Sequence, residues 1–360
     1  MVVDGTRYEF ELWRSGAGKS LLDISNTTKQ LVEFITKYFH PIAFCDLKWF
    51  LDSIKVPGLF NKVQHLDLLI PPIESTGNSE SDSVILNTIA NSVIGKEAKP
   101  WMSYIANAIH VYREIELEGL LWNYTKVQPK WDYYTYTGRS RCTQFNVQGH
   151  SEPDLIVRTG VPSEAFLLHF DWSCADMRML GLLSGDETLL STFEDSDPYT
   201  VVSKVLEISR SEAKGVMLKD IYSLNLDGLM HSLFPKACDW LKSKVSDAEN
   251  KGYTSTSFGR SFHVSGERTV KSAVNAVLQG SVATLAQVVI SKIYTLFPMY
   301  LITDTFDGVV LSVPKDEKIV CSTIKDTKKI MNDPFGDGSF IMKSSANIGT
   351  GWGNWQSINI

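Results

Sequence analysis

The stretch from Ala165 to Glu187, AFLLHFDWSCADMRMLGLLSGDE, constrains the chain more than any other. Its first six residues form a largely apolar run that ends on an acid, Asp171, as a buried strand does when it delivers a carboxylate at its end. Straight afterwards the period changes, and Ala175, Met179, Leu182 and Leu183 suit one face of a helix. A lone charge where a buried strand becomes a helix needs a partner charge or a cation. The plainer use of such an Asp is as a helix N-cap, and on this segment alone that is the commoner case.

The 360 residues are enough for two or three modules with an ample core. A net charge of −6 argues mildly against a nucleic-acid partner, although an acidic centre inside a basic groove gives the same total. The five cysteines show no CxxC and the seven histidines no HxxxH, which points to a reducing setting rather than a disulfide frame or a zinc site. No N-terminal stretch has the layout of a signal peptide, and no apolar run reaches membrane-spanning length. The expectation is an intracellular, cytoplasmic chain with no membrane partner. SGAGKS near the start is no phosphate-binding loop, because Trp13 stands where that motif needs glycine.

Other segments carry chemistry in order. TYTGRSRCTQFNVQG presents Arg139, Asn146 and Gln148, side chains suited to phosphate oxygens and minor-groove acceptors. Between Asp197 and Tyr222, spacing by four places Arg210, Lys214, Leu218 and Tyr222 on one helix face. Two cations one turn apart can clamp one polyanion, whereas the bland alternative is a solvated face. KGYTSTSFGR ends on Arg260, and a helical pattern from Glu267 to about Leu296 carries Arg268, Asn275 and Gln279. In MYLITDTFDGVVLSVP two β-rich runs flank TFDG, as in a hairpin with an acid at its turn.

Taken together, these segments resemble the motifs of the family A DNA polymerases over roughly residues 100 to 355. Asp171, Ser173, Arg178, Ser184, Gly185 and Asp186 match motif A, with Trp172 for its Tyr and Asp176 for its Glu. Val310, Val313 and Pro314 set the register of motif C, which makes Asp307 its acid and leaves Asp304 outside it; Phe306 and Gly308 replace the family His and Glu. In the fingers helix, Leu218 replaces an aromatic, and Tyr199 stands for a phosphate-contacting His just before it. The ending NIGTGWGNW is similar to the close of many phage members.

The resemblance implies an α+β right-hand fold with an antiparallel-sheet palm, helical fingers and a reduced helical thumb, preceded by an α/β exonuclease-like remnant. The implied divisions are 1–80 for a degenerate 3′–5′ exonuclease-like remnant, 81–124 for the thumb, 125–175 for the first part of the palm, 176–249 for the fingers and 250–360 for the second part of the palm. Two helical patterns fill the thumb, the second over about residues 101–124. Asp46 and Asp67 stand in exonuclease-like places, but the first carboxylate pair of such a site has no counterpart, so no proofreading activity is expected.

The implied activity is template-directed addition of dNTPs to a primer 3′-hydroxyl. Asp171, Asp307 and the Trp172 carbonyl would hold two Mg²⁺ ions, with Mn²⁺ able to substitute, and Lys214 would act as a catalytic acid. Arg210, Lys214, Leu218, Tyr222, Asp176 and Tyr199 would surround the nucleotide. Arg139, Asn146, Gln148, Arg260, Arg268 (with Lys271, one turn before Asn275, its rival for that place), Asn275 and Gln279 would face primer–template DNA. A processivity factor and a separate exonuclease chain are candidate partners. A non-catalytic nucleic-acid-binding descendant and a single-subunit RNA polymerase are the alternatives; the TGR segment and the SGDE tail favour the DNA enzyme.

Overall fold

The computed structural model describes residues 108–358 apart from 109–110, 113, 133–134, 136, 152, 259–260 and 265–268. It also describes the short strands Val2–Val3, Thr6–Arg7, Ile42–Phe44 and Val63–His65, the last two paired in parallel. Asp46, Asp67, Arg260 and Arg268 lie outside the described residues.

A five-stranded antiparallel sheet organises the described part. Its strands are β1 (Ala165–Trp172), β2 (Leu301–Asp304), β3 (Gly308–Pro314), β4 (Ser344–Gly349) and β5 (Gln356–Ser357), in the order β2-β3-β1-β4-β5. β1 is central because it is apolar enough to be covered on both sides: Leu167, Leu168, Phe170 and Trp172 are all buried. Side chains alternate along a strand, so Phe170 and Trp172 point to the face opposite Asp171. β1 pairs with β3 from Ala165 opposite Pro314 to Asp171 opposite Gly308. That register carries the β2–β3 turn to the end of β1 where Asp171 stands.

The helices following β1 include α1 (Ala175–Ser184), α2 (Glu187–Asp195), α3 (Pro198–Leu206), α4 (Arg210–Ser223) and α5 (Pro235–Lys251), with one short turn of helix at Leu229–Leu233 before α5. α6 (Thr269–Val277) and α7 (Gln279–Leu296) precede β2, and α8 (Glu317–Asn332) lies between β3 and β4. Two apolar cores result, one around the sheet with α7 and α8 and one among α1 to α6. α1 joins them, with Ala175 and Met179 in the sheet core and Met177 and Leu180 in the helical one. The carboxylate of Asp186 fastens this joint: Oδ1 accepts from Leu189 N and caps α2, while Oδ2 accepts from Ala237 N in the first turn of α5, both at 2.9 Å.

Two expectations need correction. The helical pattern read over 101–124 stops at Glu118, because Gly119 takes a left-handed φ of +76° and Leu120–Trp122 is a strand. The region Val270–Leu296 is long and apolar enough, by length and composition, to cross a membrane, contrary to the sequence reading; 89% of its most apolar window is buried inside the protein, as in a core helix.

Candidate active site

Asp171 and Asp307 come together because the sheet register leaves no other place for the hairpin turn. Trp172 N donates to the Asp307 carbonyl at 2.9 Å, which extends the β1–β3 ladder past Gly308. The Trp172 indole is buried and donates from Nε1 to the Met331 carbonyl at 2.8 Å, which anchors this end of β1 to α8. Burial and the Asp307 charge push the Asp171 carboxyl up to about 7, against the pull of Lys214. Burial raises Asp307 as well, with Arg139 and Lys214 opposing.

Arg139 enters from the TGR segment. Its Nη2 donates to Asp307 Oδ1 at 3.0 Å and lies 3.9 Å from Asp176 Oδ1. Asp176 stands in the first turn of α1 and accepts from the Tyr222 hydroxyl at 2.8 Å, which in turn accepts from Gln279 Nε2 at 3.0 Å. Asp176 Oδ1 is buried with no hydrogen-bond partner among the described residues. Burial and the Asp176 charge raise the Tyr222 phenol, so it stays a donor near neutral pH.

α4 starts sharply. Ser209 Oγ accepts from Glu212 N and Glu212 Oε2 accepts from Ser209 N, a reciprocal cap that sets Arg210 at the first helical position. Arg210 and Lys214 lie over the Tyr199 ring at 5.5 and 5.9 Å from its centroid, and Arg210 Nε donates to Asp197 Oδ2 at 2.9 Å. Tyr199 is buried beneath these cations rather than presented to solvent. Leu218 is half-buried further along the helix.

No family model matches the chain. DNA polymerase I of Thermus aquaticus is 26% identical over 307 residues, 68% of this chain and 35% of that protein. DNA polymerase I of Thermus filiformis is 28% identical over 193 residues, 42% of this chain and 23% of that one. DNA polymerase I of Streptococcus pneumoniae is 26% identical over 236 residues, 51% and 27%. The fold is similar to that of the polymerase domain of Pol1 from M. smegmatis, solved with DNA primer–template and dNTP, with a TM-score of 0.53, 17% identity and coverage of 92% of this chain and 66% of that one. The chain is a relative of the family A DNA polymerases. It matches about a quarter to a third of the length of these three curated relatives.

Against the family A pattern, the turn of the β2–β3 hairpin explains its own departures. A Cβ on Gly308 would stand 2.1 Å from the Phe170 carbonyl oxygen and 3.0 Å from Asp171 Oδ1, so this backbone has no room for the family Glu. Phe306, in place of the family His, takes a left-handed φ of +69° and is 37% exposed, with Arg139 Cζ 5.8 Å from its ring centroid. Among the described residues no cluster of three or more His, Cys, Asp or Glu forms a self-sufficient metal cage. Two adjacent carboxylates suit a hard cation that completes its shell with carbonyl, water and phosphate oxygens, as Mg²⁺ does. The residues therefore fit a divalent ion of that kind.

The expected DNA-facing residues divide. Asn275 is half-buried on α6, and exposed Asn146 accepts from Gly149 N at 3.2 Å to close its own turn. Gln279 is partly buried against Tyr222. Gln148 turns inward and donates from Nε2 to Ser140 Oγ at 2.8 Å and to Asp304 Oδ1 at 2.9 Å. Ser140 and Asp304 form a buried polar cluster that the family resemblance does not single out; the one sequence signal was an acid inside the apolar run LITD. Arg178 is buried with its guanidinium 3.9 Å from the Phe193 ring centroid, a packing role.

Proposed function

We propose that this chain is a template-directed DNA polymerase that adds dNTPs to a primer 3′-hydroxyl, working in replication or repair without proofreading of its own. The observation that carries this reading is the juxtaposition of Asp171 and Asp307 under the field of Lys214, on the helix that also presents Arg210. On this reading β1–β5 form the palm and α1–α5 the fingers.

A pair of divalent ions, Mg²⁺ by the oxygen donor set, would be held by Asp171, Asp307 and the Trp172 carbonyl, supplying charge neutralisation and a more acidic primer hydroxyl. Arg210 and Lys214 bind the triphosphate from one helix face, and Tyr199 beneath them fixes their height. Lys214 gives a proton to the departing pyrophosphate. Arg139 orients the Asp307 carboxylate and extends toward the primer end. Asp176 and Tyr222 wall the nucleotide's sugar, and Leu218 meets its base. Primer–template DNA passes over Asn146, Arg260, Arg268, Asn275 and Gln279.

Gly308 is the observation on the side of a non-catalytic descendant, because it removes the family's second motif C acid. Primer extension separates the readings. Purified protein with labelled primer–template, Mg²⁺ and dNTPs is expected to extend the primer, and to do so far more slowly with NTPs. DNA binding without extension would favour the non-catalytic reading.

A further inference from the structure

The carboxylate of Asp304 is 3% exposed and lies at the end of β2, three residues before Asp307. It gathers donors from two distant parts of the chain. Ser140 Oγ lies 2.7 and 2.8 Å from its two oxygens, and Gln148 Nε2 donates to Oδ1 at 2.9 Å. Phe306 N donates to Oδ2 at 3.3 Å, and the Tyr112 side chain adds another hydrogen bond.

Two of these donors are immediate neighbours of the Arg139–Asp307 pair. Ser140 follows Arg139, and Phe306 precedes Asp307. Gln148 closes the loop by also donating to Ser140 Oγ, while its Oε1 accepts from Cys142 N. On the hairpin side, Phe306 holds a left-handed backbone that a non-glycine residue adopts only where its surroundings enforce it. The Asp304 contact to Phe306 N is one of those constraints. The Thr305 hydroxyl, near His169 Nε2 at 3.3 Å, braces the same turn from β1.

We propose that Asp304 is a positioning residue for nucleotidyl transfer, whose buried carboxylate ties the backbone beside Arg139 to the backbone beside Asp307 and so fixes that pair at the reacting end of β1. The inference rests on the polymerase reading and deepens it. Asp304 touches neither substrate nor metal. It acts by geometry, because a misplacement of about 1 Å in a preorganised site costs on the order of 10²-fold in rate.

The test is steady-state and single-turnover primer extension by Asp304→Asn and Ser140→Ala, each alone and combined with Arg139→Ala, alongside thermal unfolding. Asp304→Asn keeps the shape but turns an NH₂ toward donors. It is expected to lower kcat on the order of 10²-fold, and Ser140→Ala about tenfold, at temperatures well below each variant's Tm. The KM for dNTP and the Kd for primer–template are expected to stay within about twofold. In the Arg139→Ala background either change is expected to lower kcat by no more than about twofold, because the pair being positioned is already gone. Equal losses in both backgrounds, or a lowered Tm with unchanged kcat, would overturn the inference. Should Asp304→Asn fail to fold, Ser140→Ala carries the same cycle. No extension by the unsubstituted protein would overturn the polymerase reading, and this inference with it; extension that the substitutions leave untouched would overturn the inference alone.

Discussion

Arg139 Nη2 lies 3.0 Å from Asp307 Oδ1, an ion pair between residues 168 positions apart in the chain. It joins the TGR segment to the hairpin turn and leaves Asp171 as the less compensated of the two acids. Lys214 pulls its carboxyl down, but burial and the Asp307 charge outweigh that pull.

Gly308 is the first position where this geometry makes a prediction against the family pattern. Gly308→Glu would restore the missing motif C acid, yet its Cβ would meet the Phe170 carbonyl at 2.1 Å. The variant is expected to lose about 1–3 kcal/mol of stability, the usual cost of forcing atoms into an occupied site, and to extend primers more slowly. Urea unfolding and single-turnover extension check this. Unchanged stability with faster extension would show that the turn can open to accept the side chain.

Asp186, matched in the sequence only to motif A, serves the starts of two helices. Asp186→Ala removes the acceptor for Leu189 N and for Ala237 N together. At about 1 kcal/mol per lost cap, the expected loss is about 2 kcal/mol by urea unfolding. A loss under 0.5 kcal/mol would mean that α2 and α5 find other acceptors.

Stability at acid pH should depend on Asp154. The Asn123 and Trp122 side chains donate to it at 2.6 and 2.8 Å and hold its carboxyl below the usual carboxylate range. With the folded value depressed, the contribution is present above the ordinary Asp value of about 3.9 and is lost as pH falls through the folded value. The difference in unfolding free energy between the unsubstituted chain and Asp154→Asn is therefore expected to be present at pH 5 and to shrink below about 4. A difference that does not change with pH would contradict this.

On the proposed reading, the wall beside the nucleotide sugar would be short on this chain. Asp176 is one methylene shorter than the family Glu and is held by Tyr222, while Leu218 offers no ring to stack on a base pair. Selectivity is a difference of transition-state energies, so a looser wall discriminates less. Asp176→Glu combined with Leu218→Phe is expected to improve dCTP over CTP incorporation opposite template G by about tenfold, the scale of the roughly 1–3 kcal/mol that one methylene of pocket fit is worth. No change in the ratio would place the gate elsewhere.

The parts of this molecule that were legible in the sequence are those with a period or a fixed local spacing. An apolar strand ending on Asp171, the VP register that selects Asp307, and four-residue spacing along α4 each leave a trace within one segment. The Asp304–Ser140–Gln148 cluster leaves only the acid in LITD, because the pairings to Asp304 span 156 to 164 residues and no periodicity links them. Gln148 shows the consequence: its residue type suits a DNA contact, but the fold turns its amide inward. Leu120–Trp122 misled for a different reason, since LLW fits a helix as well as a strand until Gly119 turns the chain.

Catalysis by Asp171 and Asp307, as the acids of a DNA-directed polymerase, is the proposed property most open to test. Its most direct measurement is primer extension with Mg²⁺ and dNTPs by the unsubstituted chain, Asp171→Ala and Asp307→Ala, with primer–template affinity measured in parallel. The unsubstituted chain is expected to extend the primer, each variant to lose activity on the order of 10³-fold or more, and DNA affinities to stay within about threefold of one another. Extension that survives either substitution, or that is lost only together with DNA binding, would contradict it.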